Sequence, residues 1–306
     1  MRWKRNTGFD QVEDRRSQGP TGGGLGDVFG TGGGGGGGFP IPIPGGKAGG
    51  GIGLGGIIIL VIGFLLFSGI LGGGGALSGL QPNGGAGQPG GTLDPQGDTD
   101  QQLAYIVNSV QTFWGDEFQR SGKTYPQTKL VLFTGSTTSA CGPASSQTGP
   151  FYCPADQKVY FDLAFMDDLK SRFGAQGGDF AMAYVVAHEF GHHVQDALGI
   201  NQAMQDQMQS DPSRQSDLSV RLELQADCLA GVWANSAVAD IEPGDIDEAL
   251  SAAAAVGDDR IQAKTQGRVD PETWTHGSAE ERTRWFTKGY QGGNANDCDT
   301  FGASSL

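Results

Sequence analysis

The stretch AMAYVVAHEFGHHVQ, residues 181–195, places His188 and His192 one helical turn apart in an apolar context. Side chains four residues apart leave the same face of a helix, so both imidazoles can bind one ion about 2.0–2.1 Å away. Glu189 lies one residue further round, beside the ion, where its carboxylate can take a proton from a zinc-activated water. The pattern predicts a catalytic Zn²⁺ site on a buried helix; the alternative is a core helix that merely contains histidines.

A third zinc ligand must come from outside this helix. Gln195 and Leu198 occupy the positions at which the metzincin arrangement has a glycine and a third histidine, so that arrangement is excluded. Residues 221–227, RLELQAD, instead carry Glu223 and Asp227 one helical turn apart. Glu223 would complete a site of two histidines and one glutamate with a position open for water, and Asp227 would accept a hydrogen bond from a ligand imidazole. The apolar residues around them argue against a solvated helix face.

Composition divides the 306-residue chain in two. Most of its 54 glycines precede residue 100, and such a segment cannot bury enough apolar surface to offset its chain entropy. We predict a disordered, glycine-rich segment over residues 1–51, a transmembrane helix over 52–71, a flexible linker over 72–97 and one globular domain over 98–306. The net charge is −14, with the acidic excess in the domain, so we expect no nucleic-acid partner.

The predicted transmembrane helix determines the expected location. Residues 52–71 are uncharged, and about 20 such residues cross a bilayer. Basic residues are concentrated ahead of this segment, which favours a cytoplasmic N-terminus and an extracytoplasmic domain in a single-pass membrane protein. A buried core helix and a cleaved signal peptide are the alternatives, and the length of chain ahead of residue 52 argues against cleavage.

All four cysteines, Cys141, Cys153, Cys228 and Cys298, follow that segment, and an even number outside the cytoplasm predicts two disulfides. Three pairings are possible. Closeness in sequence favours Cys141 with Cys153, which leaves Cys228 with Cys298. A four-cysteine zinc site is the competing interpretation, but no short paired spacing supports it.

Hydrophobic periodicity predicts a mostly helical α+β domain with a small sheet in its first third. Strands are predicted over residues 129–134 and 158–163. Helices are predicted over residues 101–120, 165–173, 179–198, 217–239, 244–256 and 279–290. Ser278 and Glu281 form a capping box at the start of the last helix.

Several stretches together resemble a known family. HEFGHHVQ (188–195) with ELQADC (223–228), an HExxH plus ExxxD pattern, is similar to the gluzincins and, more closely, to the neutral zinc metallopeptidases of bacteria. GPFYCPADQKVYFDL (149–163), WTHGSAEERTRWFTKGY (274–290), the short basic N-terminus and the membrane anchor share this resemblance, which covers most of residues 98–302. It implies a zincin-like metallopeptidase fold that binds Zn²⁺. The glycine-rich tract is longer than the family pattern.

The resemblance also implies a role for a residue outside the zinc helices. In thermolysin-like enzymes a downstream histidine or tyrosine stabilises the oxyanion of the tetrahedral intermediate, and His276 is the candidate here. Tyr160 is the alternative, and a plain turn histidine remains an open interpretation of His276.

The expected function is therefore a membrane-anchored zinc peptidase acting on peptide or protein substrates, with Glu189 as base and then acid. Two alternatives stay open. One is a non-catalytic envelope protein held together by a structural zinc, and the other is a zinc amidase acting on a non-protein substrate.

Overall fold

The structure, a computed structural model, describes residues 1–4, 8–17, 93–94 and 96–306. The predicted transmembrane segment, residues 52–71, lies outside these ranges, as does nearly all of the glycine-rich tract. No helix within the described ranges combines the length and apolarity that crossing a bilayer requires.

The strands form a four-stranded sheet and a separate hairpin. In chain order they are β1 Val12–Asp14, β2 Leu130–Phe133, β3 Ser136–Ser139, β4 Gly142–Ser145, β5 Phe151–Cys153 and β6 Lys158–Asp162. The sheet has the order β1-β2-β6-β5, in which β1, β2 and β6 are parallel and β5 is antiparallel to β6. The hairpin pairs β3 with β4. The predicted strands correspond to β2 and β6.

Strand β1 lies within residues 1–51, for which disorder is predicted. It pairs in parallel with β2, and its register places Val12 opposite Leu130. Just beyond the strand, the Arg16 guanidinium donates to both carboxylate oxygens of Asp100, at 3.0 and 2.8 Å. The prediction of disorder is therefore wrong for β1, because backbone pairing and ion pairs hold a segment that is too polar to be recognised by its composition.

The described part of the domain contains eight α-helices. They are α1 Asp98–Arg120, α2 Ala164–Ser171, α3 Asp179–Ala197, α4 Ile200–Ser210, α5 Gln215–Ser236, α6 Asp245–Ala255, α7 Asp258–Gln266 and α8 Ala279–Gly292. The prediction of a mostly helical α+β domain with a small sheet is confirmed. Helices α4 and α7 were not predicted. In α7 too few apolar residues are present for a helical period to be visible, whereas α4 carries Ile200, Met204 and Met208 at helical spacing among polar residues.

Helix α3 lies at the centre of the domain. Every residue from Phe180 to Gln195 is buried, as expected for a helix that is apolar around its circumference. The helix packs against β5 and β6 on one side and against α1, α5 and α6 on the others. The residues of the HEFGHH segment are therefore held by neighbours on all sides.

The two faces of the main sheet carry different apolar clusters, because successive strand residues point to opposite faces. Leu132 and Phe161 belong to the large core that includes α3. Val131, Phe133 and Tyr160 belong to a second, smaller core on the other face. Only the first face is directed at α3.

The cysteines pair as predicted, and no cysteine is free. One disulfide joins Cys141, just before β4, to Cys153 at the end of β5. The other joins Cys228 in α5 to Cys298 in the C-terminal segment. The competing four-cysteine zinc site is excluded, because all four sulfurs are consumed.

Candidate active site

Helices α3 and α5 bring the three predicted zinc ligands together. Nε2 of His188 lies 3.2 Å from Oε2 of Glu223, and Nε2 of His192 lies 3.4 Å from Oε1 of the same carboxylate. Tetrahedral zinc with bonds of about 2.0–2.1 Å would separate neighbouring ligand atoms by about 3.3 Å. The donor types fit Zn²⁺, and one ligand atom from each of the three residues lies within 4.8 Å of the other two, so a small side-chain adjustment would bring them to that spacing. Within the described chain this is the one group of three histidine, cysteine or carboxylate ligands that could hold a metal ion.

The approach of α3 to α5 depends on Gly191, which lies between the two histidines. A Cβ at this position would lie 3.0 Å from the backbone oxygen of Ala226 and 3.1 Å from its Cα. Such contacts are tighter than side-chain carbons normally make. The absence of a side chain at Gly191 lets α5 lie close enough for Glu223 to reach both imidazoles.

Asp227 orients the first histidine ligand. Its Oδ1 accepts from Nδ1 of His188 at 2.8 Å and from the Tyr184 hydroxyl at 2.6 Å. Because Nδ1 is the donor in this contact, the neutral form of His188 has its lone pair on Nε2, the atom that faces Glu223 and that a metal ion would bind. The sequence predicts this role for Asp227, and the carboxylate lies in position for it.

Arg282 of α8 neutralises the buried Asp227. Burial alone would raise the pKa of Asp227, but the charges of Arg282 and His188 hold it below its usual value. Burial likewise opposes ionisation of Glu223, and the neighbouring His192 and His188 nonetheless hold its pKa well below the usual range. Both carboxylates are therefore anionic at neutral pH, as a metal ligand and its supporting group should be.

Glu189 faces the cleft beside the ligands and is itself buried. Burial raises its pKa, an effect that the charges of His188 and His192 only partly offset. A carboxylate with a raised pKa binds a proton more readily and can still release it, which suits general acid–base chemistry.

His276 also lines the cleft, and Asp258, at the start of α7, holds it there. Asp258 accepts backbone N–H bonds from Thr275 at 2.7 Å and His276 at 2.6 Å, and its Oδ1 lies 3.2 Å from Nδ1 of His276. Burial by itself lowers the pKa of His276, but the Asp258 charge outweighs it and raises that pKa above the ordinary value. With Nδ1 engaged, Nε2 is the ring nitrogen available to a substrate.

Tyr160, the alternative candidate for oxyanion stabilisation, lies away from the cleft. Its hydroxyl donates to Asp156 at 2.7 Å, and its ring stacks on Phe151 in the second core. The alternative is therefore wrong. The register of β6, which the sequence did not reveal, turns this side chain to the face opposite α3.

His193, next to the second ligand, has a structural position. It is completely buried, and its ring nitrogens lie 3.1 Å from the Tyr152 hydroxyl and 2.6 Å from the carbonyl oxygen of Pro126. Tyr152 also donates to Asp196 at 2.9 Å. These contacts attach the edge strand β5 to the end of the zinc helix.

The cleft next to Glu189 encloses about 110 Å³. Apart from the residues already described, its walls are mainly apolar. They include Pro150, Phe165, Phe173, Val256 and Ile261. Besides the three predicted ligands, the ionisable side chains that line the cleft include Glu189, His276 and Arg282.

Two residues that line or support the cleft, Arg282 and Asp258, were not predicted from the sequence. Arg282 lies on the same helical stripe as the buried Trp285 and Phe286, and an arginine within an apolar stripe requires a buried partner. That signal could have identified it. Asp258 offered no comparable signal, since its role depends on a loop that returns to the start of α7.

Two imidazoles and a carboxylate, with a glutamate beside them on a buried helix, form a site of the kind that zinc-dependent hydrolases use. The chain belongs to the family described as "Putative neutral zinc metallopeptidase", whose family model matches residues 1–301. It is 42% identical over 315 residues to the uncharacterized protein YpfJ of Escherichia coli (strain K12), covering 99% of this chain and 100% of that protein. It is 51% identical over 211 residues to the uncharacterized protein Rv2575 of Mycobacterium tuberculosis (strain ATCC 25618 / H37Rv), covering 65% and 69%. No solved structure matches the chain significantly.

Proposed function

We propose that this protein is a zinc-dependent peptidase that hydrolyses peptide bonds in the cleft beside α3. One observation carries the proposal: Glu189 adjoins a set of only three candidate ligands, His188, His192 and Glu223, in the described chain. Structural zinc sites are closed by four protein ligands, whereas catalytic sites keep one position open. A purely structural zinc would need a fourth protein ligand here.

The residues divide the chemistry among them. His188, His192 and Glu223 would hold the ion; when bound, zinc supplies a Lewis acid that polarises the scissile carbonyl and acidifies an attacking water. Glu189 takes the proton from that water and delivers it to the leaving amine. Its raised pKa suits both steps, because the carboxylate must bind the proton and then release it.

His276 is proposed to donate a hydrogen bond from Nε2 to the carbonyl oxygen as negative charge develops there. Asp258 keeps the imidazole protonated and fixes its orientation. Donors that are held in place before the reaction stabilise such charge without reorganising.

The cleft favours a peptide substrate over a saccharide-linked amide. Phe165, Phe173, Val256 and Ile261 present apolar surface to a bound molecule. A large apolar side chain beside the scissile bond would bury that surface, whereas sugar hydroxyls would lose hydrogen bonds to water without replacement. We therefore propose peptides with a bulky apolar residue at the cleaved bond as substrates.

The test is Glu189→Gln in the full chain. Bound zinc, measured by elemental analysis, should persist, while hydrolysis of quenched-fluorescence peptides carrying a bulky apolar residue should fall by about 10²–10⁴-fold. Glu280→Gln, which changes a glutamate that is 86% exposed, is the matched control and should hydrolyse normally. Full hydrolysis by Glu189→Gln would refute the mechanism, and a wild-type protein without zinc would refute the function.

A further inference from the structure

The second histidine ligand, His192, has no carboxylate behind it. We propose that Gln195 and Gln225 form an amide chain that fixes the tautomer of His192, which makes Gln195 a positioning residue for the metal. This inference rests on the proposed zinc-dependent function and deepens it.

The chain runs through buried hydrogen bonds from the backbone to the ligand. Nε2 of Gln225 donates to the carbonyl oxygen of Cys298 at 3.0 Å, and Oε1 of Gln225 accepts from Nε2 of Gln195 at 3.1 Å. The same Nε2 donates to the carbonyl oxygen of Leu222 at 2.7 Å. Oε1 of Gln195 lies 2.9 Å from Nδ1 of His192.

The direction of this chain follows from its ends. A backbone carbonyl can only accept, so the amide nitrogens of Gln225 and Gln195 must face Cys298 and Leu222. Oε1 of Gln195 is therefore the atom that faces His192, and Nδ1 of His192 must donate to it. In the neutral ring of His192, Nε2 is then the nitrogen without a proton, and this is the form of imidazole that binds a metal ion.

The two ligand histidines are thus oriented by different means. His188 donates to the charged Asp227, whereas His192 donates to a neutral amide whose orientation is set by two carbonyl groups. One of these carbonyls belongs to Cys298, which the disulfide to Cys228 joins to α5. The disulfide therefore holds the far end of the chain that orients His192.

The experiment compares Gln195→Leu with the wild type. Zinc affinity, measured by competition with a chromogenic chelator, should weaken by about 10–100-fold. In the metal-free proteins, at a pH high enough for the His192 ring to be neutral, its ¹⁵N shifts should show mainly the tautomer protonated at Nδ1 in the wild type and a larger share of the other tautomer in the variant. A role limited to packing would leave the tautomer unchanged.

Gln111→Leu is the matched control, because Gln111 is a buried glutamine that bonds the backbone N–H and carbonyl of Thr128 away from the site. It should keep wild-type zinc affinity. Gln225→Glu is similar in shape but lacks the donor to Cys298, so it should also weaken zinc affinity. It replaces Gln195→Leu in the experiment if that variant does not fold. Unchanged affinity and tautomer, or an equal loss in Gln111→Leu, would overturn the inference. A wild type that binds no zinc would overturn the proposed function as well.

Strand β1 supports a second, independent inference. We infer that residues 8–17 and the domain occupy the same compartment, and that this compartment is oxidising. The backbone N–H of Leu130 donates to the carbonyl of Gln11 at 2.9 Å, and that of Arg15 donates to the carbonyl of Leu132 at 2.7 Å. The strand is therefore part of the sheet on which the domain is built.

A chain that crossed a membrane once between residues 17 and 93 would place β1 and β2 on opposite sides. The sheet is thus incompatible with the expected arrangement of a cytoplasmic N-terminus and an extracytoplasmic domain. The two disulfides, Cys141–Cys153 and Cys228–Cys298, require an oxidising environment to form and persist. Together these observations place both parts of the chain outside the cytoplasm.

The test uses one new cysteine at a time in the full chain, Ser17→Cys or Ser304→Cys, both at exposed positions. The four native cysteines are paired, so a membrane-impermeant maleimide reports on the new thiol alone. Both variants should react in intact spheroplasts. Reaction of only one, or of neither until the cells are lysed, would overturn the inference.

Discussion

Arg282 binds both carboxylate oxygens of Asp227, with Nε 2.8 Å from Oδ2 and Nη2 3.0 Å from Oδ1. Asp227 is fully buried and at the same time accepts from His188. The ion pair between α5 and α8 therefore supports the orientation of His188, one of the proposed metal ligands. Its loss should affect both the stability of the fold and the affinity for zinc.

We predict that Arg282→Met destabilises the protein by about 3–5 kcal/mol, because it leaves the Asp227 charge buried without its partner. Urea unfolding of the metal-free protein measures this. Asp227→Asn combined with Arg282→Met should recover part of the loss. Arg172→Met, which removes an exposed pair with Asp168, is the control and should cost about 1 kcal/mol or less. Equal losses in the two single variants would contradict the prediction.

The contact between His276 and Asp258 leads to a prediction for peptide hydrolysis at alkaline pH. The pKa of His276 is raised above its ordinary value, so the protonated donor is present below that pKa and is lost as pH rises through it. Peptide hydrolysis by the wild type should therefore fall on the alkaline side. In His276→Gln the turnover should be lower by about 10²–10³-fold, and the decrease in activity at alkaline pH should disappear.

Asp258→Asn supplies the control for that profile. It keeps an acceptor near Nδ1 of His276 but removes the charge that raises the pKa. The decrease in peptide hydrolysis on the alkaline side should begin at a lower pH than in the wild type, while the zinc content stays constant. If activity decreased over the same alkaline pH range in the wild type, His276→Gln and Asp258→Asn, a group other than His276 would be responsible.

Gly191 and Gly115 provide a matched pair of helical glycines. In Gly191→Ala the new methyl group meets the backbone of Ala226 at 3.0–3.1 Å, whereas nothing lies within 4 Å of a Cβ at position 115. We predict that Gly115→Ala stabilises the protein by about 1 kcal/mol through helix propensity alone. In Gly191→Ala the same gain in helix propensity should be outweighed by overpacking, which costs about 1–3 kcal/mol. The substitution should also weaken zinc binding, because it displaces α5. Similar stabilisation by both substitutions, with unchanged zinc affinity, would be the contrary result.

We predict that buried His193 contributes to the free energy of unfolding and that this contribution is lost in acid. Burial lowers its pKa below the ordinary value of 6.5, so the native state favours the neutral ring. The unfolded chain then binds more protons just below pH 6.5. The contribution is fully present above that pH and is lost as pH falls through the folded pKa, by at most about 1.4 kcal/mol per pH unit.

Urea unfolding of wild type and His193→Gln in chelator, from pH 4.5 to 7.5, measures this contribution as the difference between the two curves. The difference should shrink as the medium becomes acidic. His276→Gln offers an internal comparison of opposite sign, because the raised pKa of His276 makes its contribution disappear as pH rises. A constant difference for His193→Gln would disprove the prediction.

The parts of the site on single regular helices were predictable from sequence. His188 with His192, and Glu223 with Asp227, lie one turn apart, and helical geometry alone determines which face each pair shares. The capping box of Ser278 at the start of α8 was predictable for the same reason, since it depends on local spacing. Local geometry thus accounts for the proposed ligand set.

The remaining parts depend on relationships between distant segments. Tyr160 was a plausible cleft residue until the register of β6 was known, because a shift of one residue exchanges the faces of a strand. Arg282 reaches Asp227 only through the packing of α8 on α5. Strand β1, three residues long and partly charged, carries no periodic signal, and only its pairing with β2 makes it a strand.

The position of β1 bears on how the protein is made. Gln11 and its contact Gln127 are 116 residues apart, so at about 5–20 residues per second the ribosome completes the first segment roughly 6–23 seconds before the second. Until the N-terminal residues return, one side of β2 is an open edge, the feature that promotes pairing between chains during synthesis. Once they dock, the edge of the sheet is the three-residue β1, in which Glu13 pairs with Arg15 and Lys158 and Asp14 pairs with Arg16; short edge strands with charged side chains resist pairing with other chains. The first segment to be synthesised thus completes the sheet and protects newly made molecules from associating.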